Sequence, residues 1–163
     1  MPRVYSARDE RFGGYLEDYE PGDVFRHWPG KTITEAEDHM FCLLTMAVSP
    51  IHVDRHYAAT ETEFGRNIVV GTFVYSLLLG MSLPDISGRA IANLGLSDLR
   101  HVAPLFHGDT LYGTTEVVGV RPSVSRPAQG ILTVRTEGHN QDGQKVCIFT
   151  RAVLLPRRPT GDA

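Results

Sequence analysis

The six residues Ser49-Pro50-Ile51-His52-Val53-Asp54 carry the clearest chemical signal in the chain. A proline at position 50 fixes φ and removes a backbone donor, which stiffens the turn. A histidine on so rigid a loop suits proton transfer, because an unperturbed imidazole titrates near neutrality. The same ring could instead satisfy a backbone carbonyl at a helix entrance, and spacing alone leaves both roles open. His52-x-Asp54-x-His56 puts two imidazoles four residues apart, but no third ligand stands at a firm spacing, so no metal is expected. His101 and His107 read as surface or packing residues. Cys42 and Cys147 sit in apolar surroundings and read as buried thiols of a reducing compartment. Cys42 has no neighbouring base to ionise it. No Gly-x-Gly-x-x-Gly, P-loop or Gly-x-Ser-x-Gly is present.

These residues must be positioned by a chain of 163 residues, 42% hydrophobic and 21% charged. That is one ordinary domain with enough apolar side chains for a core. A net charge of −3 argues against a nucleic-acid partner held by bulk positive charge. The start has no apolar leader and no segment approaches a membrane span, so a soluble, cytoplasmic protein is expected. The expected arrangement is a single domain over residues 1–163, with loose ends at about 1–11 and 157–163.

Thr34 with Glu37 three residues on is a capping box, so a helix starts there. Ala36, Met40, Leu43, Leu44 and Ala47 then give it an apolar face, and Pro50 ends it. A short helix follows Asp54, whose carboxylate can cap its first turn. Gly71 to Ser82 is apolar on nearly every side, which predicts a buried helix, with Pro84 ending it. The remainder alternates. Leu111–Val120 and Lys145–Leu154 read as long strands, and Asn140-Gln141-Asp142-Gly143 as a hairpin turn. One buried helix followed by long antiparallel strands predicts an α+β fold.

Three stretches carry a resemblance: Ser-Pro-Ile-His-Val-Asp, then Glu63-Phe64-Gly65-Arg66, then Val70-Gly71-Thr72-Phe73. Ala92-Asn93-Leu94-Gly95, Gly108–Tyr112 and Asn140–Gly143 continue it, over roughly residues 12–155. The chain resembles the MaoC-like dehydratases, the (R)-specific enoyl-CoA hydratases, and most of all the branch acting on itaconyl-CoA or mesaconyl-CoA. The resemblance implies a hotdog fold, in which an antiparallel sheet wraps a long central helix. It also implies a homodimer or an assembly of dimers, an acyl-CoA thioester substrate and no dissociable cofactor. Hydration makes an enolate-like oxyanion that needs preorganised donors, and a helix N-terminus offers free N–H groups. Gly71 and Thr72 are therefore the candidate donors. Gly71 could also serve close packing against the sheet.

The family signature is Asp-x-Asn-Pro-(Leu/Ile)-His. His52 and Pro50 match it, Ser49 replaces the asparagine, and Ala47 stands in the place of the catalytic aspartate. Alanine can neither hold the water nor pass on a proton. Asp38 lies nine residues before Ala47 and, along a helix, is too distant to substitute. The expected catalytic set is His52 as base, Ser49 as water or substrate ligand and Gly71 as oxyanion donor. Arg66 or Arg100 would bind a second carboxylate on the substrate, and Arg121 and Arg126 could meet CoA phosphates. Two other readings stay open: a non-catalytic acyl-CoA-binding subunit, which would explain Ala47, and a thioesterase.

Overall fold

A computed structural model of the chain describes residues 4–6 and 12–159. The helices are α1 (Glu35–Thr45), α2 (Pro50–Val53), α3 (Arg55–Glu61) and α4 (Gly71–Met81), the last followed by a π-helical turn at Leu83–Ser87. The four long strands are β4 (Ala92–His101), β5 (Thr110–Pro122), β6 (Gln129–His139) and β7 (Lys145–Pro156). They run antiparallel in the order β5-β6-β7-β4. Beyond β5 the sheet continues through β2 (Val24–Arg26) to β1 (Val4–Ser6), while β3 (Lys31–Thr32) pairs separately with β5. This is the expected hotdog arrangement, with α4 held in the curve of the sheet.

The packing follows from residue size. Leu132, Val134, Thr136 and Gly138 are the buried alternate positions of β6, as the two-residue period of a strand requires. Gly113 and Gly138 are register partners on β5 and β6, and Leu78 of α4 sits on them. A Cβ at Gly138 would come 2.6 Å from Leu78 Cδ1, so glycine there sets how near the helix lies to the sheet. Leu78 and Val74 pack with Leu111, Val146 and Phe149 in the main core.

Only Val74 and Leu78 of α4 are buried, whereas the sequence predicted a helix buried all round. The sheet of this chain covers one side, and Thr72, Ser76 and Gly80 remain exposed. The face of α1 is also reversed. Met40, Leu43 and Leu44 point outward with 57, 66 and 76% exposure, while Asp38 and Cys42 are buried. α1 stops at Thr45, short of Pro50, because Met46 takes a left-handed conformation with φ 60°.

Both ends of α4 are held by buried polar groups. At the C-terminus, Arg151 of β7 donates to Ser82 Oγ at 2.8 Å, placing a cation where the helix dipole favours one. Next to it, His27 bridges Asp85 Oδ2 (2.6 Å) and Thr115 Oγ1 (2.7 Å). Both cysteines are buried and free, and burial pushes the Cys147 thiol up to about 11. The chain ends are tied in part: Val4–Ser6 pairs with β2, and Arg157 and Arg158 bind Glu17 and Asp18. The rest of the expected loose ends, 1–3, 7–11 and 160–163, lies outside the described residues. Among the described residues, no helix is long and apolar enough to cross a membrane.

The capping box at Thr34 forms as predicted. Hydrogen bonds to Glu37 from the Lys31 ammonium, then from Thr34, lower its carboxyl from 4.5 to about 2. Its contribution to stability is full above pH 4.5 and is lost as pH falls through about 2. Across that window the urea midpoint of Glu37→Gln should fall less than that of the wild type. Parallel falls would remove Glu37 from the acid response.

Candidate active site

His52 lies on α2, a single turn that Pro50 can open because its missing N–H is not needed there. Ser49 precedes it, and its carbonyl accepts the His52 N–H at 3.0 Å. The Asp54 carboxylate accepts the Tyr57 N–H at 2.9 Å and starts α3. The amide of Asn67 donates to the carbonyls of Ile51 and Asp54 at 3.0 and 3.2 Å, clamping the turn from below. The His52 ring is oriented by one bond, from Nδ1 to the Ile68 carbonyl at 2.9 Å. A carbonyl only accepts, so Nδ1 carries the proton and neutral His52 keeps a free lone pair on Nε2. The ring therefore satisfies a carbonyl with one nitrogen, as the packing reading expected, and its other nitrogen has no partner among the described residues.

The second part is the N-terminus of α4. Phe73 and Val74 donate to the Val70 carbonyl at 3.0 and 3.3 Å, and Val70 itself donates to Asp38 Oδ1 at 3.1 Å. The N–H groups of Gly71 and Thr72 find no acceptor among the described residues. Asp38 is fully buried, and its other oxygen accepts from His107 Nε2 at 2.9 Å. The next residue of α1, His39, donates to the His52 backbone carbonyl at 3.0 Å. One turn of α1 thus grips both the start of α4 and the histidine turn. Asp38 holds the helix end through these bonds.

A cavity of about 410 Å³ opens between these parts. Its twelve lining residues include His52, Gly71 and His101, and the others are Phe64, Ile68, Val69, Val74, Val102, Ala103, Pro104, Leu105 and Val146. His101 is at the surface and packed against Gly71, as the sequence suggested, and it also lines this cavity. It closes β4, and its ring lies so close to Gly71 that a Cβ there would come 2.6 Å from Nε2. The residue is exposed, yet the packed part of the ring loses hydration, which lowers its pKa. No sequence signal pointed to it, because the contact with Gly71 joins a strand end to a helix start thirty positions earlier.

The other expected site residues lie elsewhere. Ser49 is exposed and outside the lining, since its place at the start of α2 turns it away from the cavity. The Thr72 side chain is exposed on the open side of α4. Arg66 stacks its guanidinium 3.7 Å from the centre of the Phe106 ring and borders a separate depression with Arg55, Glu35 and His107. Arg100, the neighbour of His101 on β4, is exposed and lines neither cavity. Ala47 is also outside the lining.

Replacing Asp38 by alanine leaves the Val70 N–H buried without an acceptor, at a cost of about 1–3 kcal/mol. Asp38→Ala should lower the urea midpoint accordingly, and an unchanged midpoint would show that the helix end does not depend on it.

Known proteins share this architecture. The chain is 33% identical over 154 residues to a mesaconyl-CoA hydratase of Cereibacter sphaeroides, which covers 91% of this chain and 43% of that protein. It is 32% identical to an (R)-specific enoyl-CoA hydratase of Aeromonas caviae, over 77% of this chain and 89% of that protein. The solved MaoC-like dehydratase of Rhodospirillum rubrum superposes with a TM-score of 0.80 at 28% identity, covering 90% of this chain and 99% of that one. The chain spans less than half the length of the mesaconyl-CoA hydratases it matches. The family model described as a MaoC-like domain matches residues 18–139, and the chain belongs to that family.

Proposed function

We propose that this protein catalyses reversible addition of water to a short 2-enoyl-CoA thioester. The observation that carries the reading is an apolar cavity into which both the His52 ring and the Gly71 start of α4 open. In the proposed reaction, His52 Nε2 takes a proton from water while the water oxygen bonds to C3. The thioester oxygen gains negative charge as the double bond moves, and the N–H groups of Gly71 and Thr72 donate hydrogen bonds to it. His52 then returns the proton to C2. All atoms of the water end in the product, and no redox partner or dissociable cofactor enters.

The relatives named as hydratases support this reaction class. The lining holds no Lys or Arg, so a second carboxylate on the acyl group would have to find its cation outside it, at Arg66 or on another subunit. A soluble, cytoplasmic homodimer fits the exposed surface. β4 is an edge of the sheet among the described residues and carries Leu94 and Leu96 at 50 and 44% exposure, and Met40, Leu43 and Leu44 of α1 are exposed as well. A second copy along that edge would cover them.

Purified protein should hydrate at least one of crotonyl-, itaconyl- and mesaconyl-CoA, with the product identified by mass and the particle eluting at twice the chain mass. His52→Ala should lower the rate about a hundredfold or more. Tight binding of all three esters without turnover would favour the non-catalytic acyl-CoA-binding subunit, and release of free CoA thiol would favour the thioesterase.

A further inference from the structure

We infer that His101 is the second catalytic side chain of this site, holding the water that His52 deprotonates. The inference rests on the hydratase reading and supplies the group that Ala47 lacks. Of the twelve residues lining the cavity, His52 and His101 alone carry polar side chains. Three carboxylates around the histidine turn and the start of α4 are committed elsewhere. Asp38 binds Val70 and His107, Glu37 binds Lys31 and Thr34, and Asp54 caps α3. The site contains no acid to stand in for the family aspartate.

His101 is placed to do part of that work. Its Nε2 end abuts Gly71, beside the N–H groups that would receive the thioester oxygen, and neither ring nitrogen has a hydrogen-bond partner among the described residues. A neutral imidazole has one acceptor nitrogen. A water molecule between the two rings can donate one hydrogen to His52 Nε2 and the other to His101, which turns an oxygen lone pair towards C3. The oxygen–C3 bond forms as the first O–H bond breaks towards His52, and His101 keeps its own proton throughout. His52 afterwards delivers the captured proton to C2. Imidazoles also suit so apolar a cavity better than a carboxylate, whose burial without a partner is costly. Gly71 gains a second reason to be glycine: any side chain there would displace the His101 ring.

The test compares wild type, His101→Ala and His101→Gln on whichever ester of the panel the wild type hydrates. Their thermal unfolding is measured in parallel. His101→Ala should lower kcat about a hundredfold with KM nearly unchanged, and His101→Gln, which can still accept from water, should recover part of the loss. Wild-type kcat in folded His101→Ala, or a loss confined to KM, overturns the role of His101 and leaves the hydratase reading standing. Should His101→Ala fail to fold, the decision falls to His101→Gln: a kcat below wild type with KM nearly unchanged supports the role, and wild-type kcat or a loss confined to KM overturns it. A wild type that hydrates no ester overturns both.

Discussion

The fully buried Asp38 carboxylate is the contact on which the site depends. It accepts the Val70 N–H at the start of α4 and a bond from His107, while the adjacent His39 holds the carbonyl of His52. Three segments far apart in sequence meet at this one turn of α1. A buried acceptor without partners would be costly, so the geometry that satisfies Asp38 also fixes the distance between helix start and histidine turn. Arg151 matches it at the other end of α4, where its guanidinium meets Ser82. The central helix lies between an acidic group at its N-terminus and a basic one at its C-terminus, the arrangement its dipole favours.

This placement leaves a useful remainder. Asp38 takes the Val70 N–H, and the next two N–H groups have no acceptor among the described residues, with Gly71 lining the cavity. The helix end is thus anchored without losing its capacity to stabilise an oxyanion. Around it the lining is apolar, so the charge that develops on a bound thioester has few competitors and little water to dilute it. The departure of the sequence from the family signature at Ala47 is then less damaging than the residue change suggests. In the proposed reaction, proton transfer falls to His52 alone while His101 holds the water.

Local signals in the sequence were legible and the long-range ones were not. The Thr34–Glu37 capping box, the Gly71 helix and the Asn140–Gly143 turn each depend on residues within a few positions, and all three form. His52 and Gly71 were legible as site residues through the family motifs. The reversed face of α1 was not. Periodicity finds a stripe of apolar residues but cannot say what covers it, and here the buried stripe contains Asp38. Ser49, Arg66 and Arg100 were chosen for chemical type near the motif, yet the cavity is shaped by which way the turn and strand present them. His101 and the Asp38 contacts with Val70 and His107 link positions 30, 32 and 69 apart, which only the closed sheet brings together.

In the proposed reaction, Asp38 presents the start of α4 to the thioester oxygen. The most direct measurement is the infrared carbonyl stretch of crotonyl-CoA, carbon-13 labelled at the thioester, bound to His52→Ala so that it does not react. The stretch should lie at lower wavenumber on the protein than in water, and adding Asp38→Ala should return it most of the way. A carbonyl that vibrates on the protein as it does in water would contradict the account.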